Sequence, residues 1–361
     1  MKRAYSSLAA KSVRLLQNEV PKLPSDAVIF SMIQPTGDFH LGNYLGANRV
    51  WKQLQDHKVP QQTCLFGVAD LHAITVPKLD VVKFKQLRLQ AIASILALGI
   101  SPEKCTIFMQ SKIPEHSQLN WLLETITSMG YLNRMTQWKS KSEGVDEDQV
   151  KLGLFAYPVL QAADILLYGS THVPVGEDQT QHLELTRNIA RRFNKMYKGR
   201  YLVEPQTIFT PTKKVLSLNN PTKKMSKSDA DPLSRIYLTD APESIQKKIK
   251  KCLTDSISDN FYYDPEDRPG VSNLINIVSG IQGKSVEEVE KDIAHMKDYN
   301  TLKTYVSDII IEDLTPVRIR YEQLIKDPAY LMDVATKGSL EKARPIAQCT
   351  IKRLMETMGG I

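Results

Sequence analysis

Short apolar runs alternate with amphipathic segments along the first half of the chain. The runs AVIFSMI (27–33), TCLFGVAD (63–70) and CTIFMQ (105–110) have the length and apolar content of buried strands. The segments between them, of which LDVVKFKQLRLQAIASILALGI is the clearest, carry apolar residues at helical spacing. Strands that alternate with helices are typical of a parallel sheet with helical crossovers. We therefore predict an α/β, Rossmann-like parallel-sheet domain here.

The second half of the chain has a different pattern. Prolines, serines and lysines cluster over residues 201–231, and from Pro242 onward each segment has a helical period. The predicted helices are PESIQKKIKKCL, VSNLINIVSGI, SVEEVEKDIAHM and a long stretch from residue 301 to the end. The pattern therefore predicts an α/β domain over 26–217, followed over 218–361 by a lysine-rich loop and an all-helical domain.

The N-terminal segment is basic and contains no acidic residue. Residues 1–18 include Lys2, Arg3, Lys11 and Arg14 together with several serines. This composition is typical of an organelle transit peptide, and the apolar run is too short for a secretory signal. The alternative is an ordinary N-terminus without a targeting role. We predict a transit peptide over 1–25 and exclude this segment from the fold.

The overall composition narrows the classes of function. The net charge of +7 at pH 7 suits a polyanionic partner. No apolar run reaches the length of about 18 residues that a membrane-spanning helix needs, so no membrane contact is expected. The cysteines Cys64, Cys105, Cys252 and Cys349 form no CxxC pair, and no HExxH motif occurs. We therefore expect neither a disulfide scaffold nor a protein-bound zinc ion.

The turn after the first predicted strand, QPTGDFHLGNYLG, lies where doubly wound sheets bind nucleotides. Gly37, Gly42 and Gly46 do not have the spacing of the dinucleotide motif GxGxxG. Gly37 and Gly42 match the GxxxxG of a P-loop, but the lysine that should follow is absent. What remains is an HxGN motif, in which His40 and Asn43 can donate hydrogen bonds to phosphate oxygens. Gly42 allows a flat base to approach the backbone.

A second motif, the lysine-rich segment PTKKMSKSD, follows the predicted α/β domain. Lys223, Lys224 and Lys227 lie close together beside Ser226 and Ser228. A lysine run is most often a solvated surface, and Lys223 keeps that interpretation. The full pentapeptide KMSKS, however, seldom occurs by chance in one chain. The combination of HxGN and KMSKS, in this order, resembles the class I aminoacyl-tRNA synthetases.

The resemblance extends over nearly the whole chain from residue 30. The segments VADLHAIT, NRMTQWKSKS, AADILLYG, VPVGEDQTQHLELTR and RPGVSNL are similar to those of the tryptophanyl-tRNA synthetase family, in its bacterial and mitochondrial branch. The resemblance implies that tryptophan reacts with ATP, accompanied by Mg²⁺, to give tryptophanyl-adenylate and pyrophosphate. The tryptophan then passes to the 3′ end of tRNA(Trp). It also implies a homodimer, anticodon recognition by the helical domain and, with the basic N-terminal segment, a place in the mitochondrial matrix.

The same resemblance assigns residues to ATP. The nucleophile of the first step is the carboxylate of the substrate, so the protein only has to align it and stabilise charge on the leaving pyrophosphate. Lysines on a mobile loop suit that task. The expected catalytic residues are His40, Asn43, Lys141, Lys224 and Lys227. The expected ATP-binding residues are Gln34, Gly42, Asn43, Gly176, Glu177, Asp178, Val215, Lys224, Met225, Ser226, Lys227 and Ser228.

The tryptophan site needs an acceptor, because an indole N–H only donates. Asp164 lies among small and apolar residues, where an unpaired carboxylate is costly. Alone it can also be an aspartate on a helix surface; the resemblance makes it the residue that reads the indole. The expected tryptophan-binding residues are Asp164, Phe30, Tyr157, Gln161, Val175, Gln179 and His72. Gln161 replaces a methionine usual in bacterial members of the family, and Met32 a usual glycine.

Three other functions remain open at this point. A tyrosyl-tRNA synthetase shares both motifs, but its pocket should offer partners to a hydroxyl group. A nucleotidyltransferase related through the HxGH turn needs neither KMSKS nor a large helical domain. An RNA-binding protein that lost catalysis would show no ATP–pyrophosphate exchange. The lysines at 247, 248, 250 and 251 can meet tRNA phosphates or form a solvated helix face.

Overall fold

The structure of the protein is a computed structural model. It describes residues 12–14, 22–78, 80–142, 150–209, 215–227, 229–257 and 260–360. Most of the predicted transit peptide lies outside the described residues, as does Ser228 of the KMSKS motif. The backbone of Lys141 is described within a helix, but its side chain lies outside the described part.

Six strands form the sheet, and helices surround it. The strands are β1 (Ser12–Arg14), β2 (Val28–Ile33), β3 (Thr63–Val68), β4 (Thr106–Met109), β5 (His172–Val175) and β6 (Gln206–Phe209). The first helices are α1 (Leu41–Asn43), α2 (Arg49–Asp56), α3 (Asp70–Ala73), α4 (Val81–Ala97), α5 (Glu115–Glu124), α6 (Met129–Asn133), α7 (Thr136–Ser142), α8 (Leu152–Leu167) and α9 (Thr180–Met196). The later helices are α10 (Pro242–Lys251), α11 (Pro269–Gln282), α12 (Val286–Ile293), α13 (Tyr299–Leu324), α14 (Pro328–Lys337) and α15 (Arg344–Thr357). Two π-helical turns, Tyr44–Asn48 and Gly338–Ala343, precede α2 and α15.

All strand pairs of the sheet are parallel, in the order β1-β6-β5-β2-β3-β4. The predicted α/β class with a parallel sheet is therefore confirmed. The strand order reverses between β2 and β5, which pair only at Ile29 and His172. A crevice opens at such a reversal, outside the carboxyl ends of the strands, and ligands bind there in doubly wound sheets.

Both faces of the sheet are buried, because successive side chains of a strand point to opposite sides. In β2, Ile29 packs into one apolar cluster, while Val28 and Phe30 pack into another. The first cluster continues into α11 and α13, and the second includes Ile351 and Leu354 of α15. The C-terminal helices therefore help to cover both faces of the sheet. No helix among the described residues is long and apolar enough to cross a bilayer.

The last helices return to the edge of the sheet at β4. Gly338 lies so close to this strand that a Cβ atom there would be 1.8 Å from the carbonyl oxygen of Ile107. The hydroxyl oxygen of Ser339 accepts a hydrogen bond from the N–H of Met109 at 3.0 Å. An edge strand exposes unpaired backbone groups, and covering it in this way protects them.

The structure differs from the sequence predictions in two places. Ser12–Arg14, within the segment that we excluded from the fold, pairs with β6 as the outermost strand. The stretch from residue 301 to the end is three helices rather than one long periodic element. Asp327 interrupts it, because its side chain caps α14 by accepting the N–H of Tyr330 at 2.9 Å.

Candidate active site

A cavity of about 710 Å³ opens at the carboxyl ends of β2 and β5, where the strand order reverses. It is bounded by the turn after β2, by the turn after β5 and by the KMSKS segment. Its lining residues are Ile33, Gln34, Thr36, Phe39, His40, Gly42, Asn43, Gly46, Asn48, Gly176, Asp178, Lys224, Met225, Ser226 and Lys227. The two motifs, far apart in the sequence, therefore face the same space.

His40 begins the helix at the cavity and is held by a reciprocal cap. Its N–H donates to Oδ1 of Asn43, and its Nδ1 accepts the N–H of Asn43, both at 3.3 Å. Burial, followed by the charges of Lys227, Lys224 and Arg235, lowers the pKa of His40 to about 3. The ring is therefore neutral near pH 7. Because Nδ1 accepts, the proton lies on Nε2, which is a donor.

Gly42 leaves room for the His40 ring and for the KMSKS segment. A Cβ atom at Gly42 would lie 3.0 Å from Cε1 and Nδ1 of His40 and 3.7 Å from Cβ of Met225. Met225 is buried, and its N–H donates to the carbonyl of Val215 at 3.0 Å. Val215 thus supports the segment from behind, whereas Met225 reaches the cavity.

Lys227 lies across the mouth of the cavity. Its Nζ donates to the carbonyl of Gly37 at 2.8 Å and to the hydroxyl of Thr36 at 3.2 Å. It also lies 5.4 Å from the centre of the Phe39 ring. Burial lowers the pKa of Lys227 to about 8, although the charge of Asp38 opposes this shift. The ammonium group therefore holds the KMSKS segment against the HxGN turn.

Hydrogen bonds from the helical part anchor the KMSKS segment. Leu216 forms an isolated antiparallel bridge with Lys224, and the amide of Asn273 in α11 bonds both backbone groups of Leu216 at 2.9 and 3.0 Å. After the motif, the N–H of Leu41 donates to the carbonyl of Ile236 at 2.8 Å. The loop is thus fastened to α11 on one side and to the HxGN turn on the other.

Asp164 lies fully buried in α8, behind the end of β2. Its Oδ1 accepts from Nε2 of Gln110 at 2.8 Å and from Nδ1 of His116 at 2.6 Å. Its Oδ2 accepts from Nε2 of His72 at 2.7 Å. Burial alone would raise the pKa of this carboxyl, but His116 and His72 lower it to about 2. The residue is therefore an anion and an acceptor.

A second group of hydrogen-bonded polar side chains extends to Asp178, which lines the cavity. The hydroxyl of Tyr157 donates to Oε1 of Gln137 at 2.8 Å and lies 3.1 Å from Nε2 of His182. The amide of Gln161 donates to Oε1 of Gln179 at 3.2 Å. Gln179 in turn donates to Oδ2 of Asp178 at 2.9 Å, and Asp178 lines the cavity. The polar end of Gln161 thus has a partner inside the site.

The structure brings most of the expected site residues together. Of the expected catalytic and ATP-binding residues, those that line the cavity are Gln34, His40, Gly42, Asn43, Gly176, Asp178, Lys224, Met225, Ser226 and Lys227. Glu177 is exposed beside it, and Val215 is buried behind it. Phe30 and Val175 pack in the apolar cluster next to Asp164. The positions of Lys141 and Ser228 in the site stay predictions.

Several residues of the site were missed by the sequence analysis. They are Gln110 and His116, which bond Asp164, Gln137, which bonds Tyr157, and Asn273, which anchors the KMSKS segment. Gln137 and Asn273 lie within the segments NRMTQWKSKS and RPGVSNL that carry the family resemblance, but no pattern marks either residue, and α11 also contains Asn276. The expectation that all four lysines of α10 meet tRNA phosphates or form a solvated face is wrong for one of them. Lys248 is buried and bonds Asp240 at 2.5 Å, so it does not belong to a solvated face.

The described residues contain no group of three or more His, Cys, Asp or Glu side chains that can hold a metal ion. Mg²⁺ that accompanies a nucleotide is usually held by phosphate oxygens and water with one or two carboxylates. Asp178 is the carboxylate that lines the cavity, so the residues present fit an ion brought in by its nucleotide.

Comparisons with known proteins agree with one another. The model of the family described as tRNA synthetases class I (W and Y) matches residues 24–314. The chain is 58% identical over 349 residues to the mitochondrial tryptophan–tRNA ligase of Saccharomyces cerevisiae, across 93% of this chain and 92% of that protein.

Solved structures are similar over the same length. The tryptophanyl-tRNA synthetase of Mycoplasma pneumoniae matches with a TM-score of 0.80 and 33% identity, across 92% of this chain and 97% of that one. The tryptophanyl-tRNA synthetase of Campylobacter jejuni, complexed with ADP and tryptophan, matches with a TM-score of 0.75 and 31% identity, across 92% and 99%.

Proposed function

The chain belongs to the class I tRNA synthetases for tryptophan and tyrosine, and on this premise we propose that it is a tryptophan–tRNA ligase of mitochondria. It activates L-tryptophan with ATP and transfers the amino acid to the 3′ end of tRNA(Trp). The observation that carries the proposal is the pairing of two sites. A cavity lined with donors and lysines lies beside a buried carboxylate that accepts hydrogen bonds.

In the first step the carboxylate oxygen of tryptophan attacks the α-phosphorus of ATP. A new O–P bond forms, the bond between the α-phosphorus and the oxygen that bridges it to the β-phosphate breaks, and pyrophosphate leaves with the electron pair. Lys224 and Lys227 stabilise the charge that develops on the leaving group. The Nε2–H of His40 and the amide of Asn43 donate to phosphate oxygens, and Gly42 leaves space for the adenine. No protein nucleophile is needed.

The family resemblance adds two further contributions to this step. Lys141 is expected to reach the pyrophosphate, and Mg²⁺ bound with ATP would neutralise part of the phosphate charge. Gly176, Glu177 and Asp178, which follow β5, hold the ribose side of ATP. Ser226 and Ser228 contact the phosphates beside the two lysines. Val215 supports Met225 near the adenine.

The amino acid lies against Asp164. The indole N–H donates to this carboxylate, and Phe30 and Val175 pack on the ring. Tyr157, Gln161, Gln179 and His72 surround the remaining parts of the substrate. Because Gln161 donates to Gln179, one N–H of its amide is already bonded within the site.

The remaining partners follow from the proposed reaction. The enzyme acts in the mitochondrial matrix, and its helical part reads the anticodon of tRNA(Trp). It forms a homodimer, for which large apolar side chains are exposed on α5, α6 and α8: Trp121 by 66%, Met129 by 69% and Leu152 by 76%. Sedimentation of the purified protein tests the dimer, and charged replacements of Trp121 and Leu152 should shift it to the monomer.

The reaction is tested by charging. The protein is incubated with ATP, Mg²⁺, labelled tryptophan and a tRNA(Trp) transcript, and the labelled tRNA is counted. We expect charging of this transcript and none of a matched transcript that lacks its 3′ adenosine. Activation of tryptophan without charging of the complete transcript would contradict the proposed ligase activity.

A further inference from the structure

The carboxylate of Asp164 has few hydrogen-bond acceptor sites left for a ligand. An ionised carboxylate has about four lone-pair sites, two on each oxygen. Gln110 and His116 fill both sites of Oδ1, and His72 fills one site of Oδ2. One site, on Oδ2, is therefore left for a further donor. The carboxylate is fully buried, so its direction is set by these three partners.

The proton positions in this network follow from its chemistry. The anionic Asp164 only accepts, so Nδ1 of His116 must carry a proton and donate it. The Nε2 atom of His116 lies 2.8 Å from the hydroxyl of Tyr168, which can donate to it when the ring is neutral. The bonds therefore run in one direction, from Tyr168 through His116 to Asp164.

Packing holds the two rings of this chain in place. The His116 ring lies nearly parallel to Phe108, at 6.0 Å between centres and 12° between planes. Tyr168 stacks on Phe30, at 5.5 Å and 23°. His116 and Tyr168 are both buried. Phe30 is also expected to touch the indole, so the apolar wall and the polar chain of the pocket are one packed unit.

We propose that His116, held by Tyr168, and Gln110 are positioning residues for the amino-acid substrate. By filling Oδ1 of Asp164 they leave one oriented acceptor site, which takes one N–H donor of an aromatic side chain. This inference rests on the proposed function and deepens it. It predicts that selectivity for the indole N–H depends on residues that do not touch the substrate.

Removal of the Tyr168 hydroxyl should weaken this selectivity. In Tyr168→Phe the Nε2 atom of His116 loses its donor, while the carboxylate of Asp164 still keeps the proton on Nδ1. The ring is then held by packing alone, so its Nδ1–H and the carboxylate that it orients can turn out of position. His116→Leu and Gln110→Met remove the donors themselves, whereas His116→Gln keeps an N–H that can reach Oδ1.

The experiment compares tryptophan with its benzothiophene analogue, in which sulfur replaces the indole N–H. The ratio of kcat/KM for the two amino acids in ATP–pyrophosphate exchange measures how much the enzyme uses the N–H. A site built around a donor rejects an analogue without it strongly, so the ratio is large in the unaltered protein. We expect Tyr168→Phe, His116→Leu and Gln110→Met to lower the ratio by about tenfold, with the KM for ATP unchanged.

Two controls separate positioning from general damage. Tyr197→Phe removes a tyrosine hydroxyl in the same apolar cluster and should leave the ratio unchanged. His116→Gln should restore most of the ratio lost in His116→Leu. If the three variants lose activity with both amino acids equally, so that the ratio stays constant, the inference is overturned while the proposed function stands. If the unaltered protein shows no tryptophan-dependent exchange, both are overturned.

Discussion

The side chains at the turn after β2 are packed so closely that one added atom would change the nucleotide site. Gly42 and His40 are so close that one added methyl group would press on the imidazole ring. Lys227 is equally constrained, because the Gly37 carbonyl, the Thr36 hydroxyl and the Phe39 ring surround its ammonium group. Small substitutions here should therefore change ATP use without changing the fold.

Gly42→Ala should weaken ATP binding. The new Cβ would lie 3.0 Å from the His40 ring, so the ring must shift and its Nε2–H turns away from the phosphate position. We expect the KM for ATP to rise by about tenfold, which corresponds to roughly 1.4 kcal/mol, while tryptophan binding is unchanged. Gly130→Ala, whose Cβ would have only ordinary contacts from 3.6 Å, is the matched control. A normal KM for ATP in Gly42→Ala would contradict this account of the turn.

The charge of Lys227 should appear in the pH dependence of ATP use. Burial lowers its pKa to about 8, so the ammonium form prevails below that pH and is lost above it. We expect kcat/KM for ATP to be level below about pH 7 and to fall up to tenfold per pH unit above 8. Lys227→Arg should remove this fall, because a guanidinium stays charged. The same fall in Lys227→Arg would assign it to another group.

At the scale of elements, the KMSKS segment owes its position to a helix of the second half. Asn273 in α11 bonds both the N–H and the carbonyl of Leu216, and Leu216 pairs with Lys224. The amide therefore connects the helical part to the loop that closes the nucleotide cavity. Asn273 and Leu216 themselves do not line that cavity.

Asn273→Ala should loosen this loop. Two part-buried backbone groups lose their partner, at a cost of up to about 1–3 kcal/mol each. We expect a lower kcat for ATP–pyrophosphate exchange, a higher KM for ATP and an unchanged affinity for tryptophan. Asn273→Asp keeps an acceptor for the N–H of Leu216 and should have an intermediate effect. Equal loss of tryptophan binding in both variants would indicate general unfolding rather than a loosened loop.

The elements that sequence predicts well are those with local signals. Strands β2 and β3 are predicted by their apolar runs, and the HxGN and KMSKS motifs are recognised from their residues and spacing. Strand β1 could not be predicted, because SVR is short and polar and becomes a strand only by pairing with β6. The partners of Asp164 were equally out of reach. His116 and Gln110 lie 48 and 54 positions before it, and only the folded sheet brings them to α8.

At the scale of the whole molecule, the C-terminal helices complete the α/β part. Residues of α13 and α15 belong to the apolar clusters on the two faces of the sheet. The turn from Gly338 to Ala343 covers the β4 edge. The predicted boundary at residue 217 therefore separates two patterns of sequence, while the core is shared across it.

Gly338→Ala should destabilise the whole chain rather than its end alone. A Cβ at this position would lie 1.8 Å from the carbonyl oxygen of Ile107, so α14 or β4 must move. We expect the free energy of unfolding to fall by roughly 2–3 kcal/mol in a single cooperative transition. In Gly153→Ala the nearest atom would be at 3.7 Å, so its stability should hardly change. Separate melting of the C-terminal helices in Gly338→Ala would contradict a shared core.

The most direct test of the central claim is ATP–pyrophosphate exchange with tryptophan and with tyrosine, on the unaltered protein and on Asp164→Asn. The account predicts exchange with tryptophan that exceeds exchange with tyrosine by at least about a hundredfold. In Asp164→Asn the donors His72, His116 and Gln110 meet an amide, so the exchange with tryptophan should be lost. Comparable exchange with tyrosine in the unaltered protein, or exchange with neither amino acid, would contradict the account.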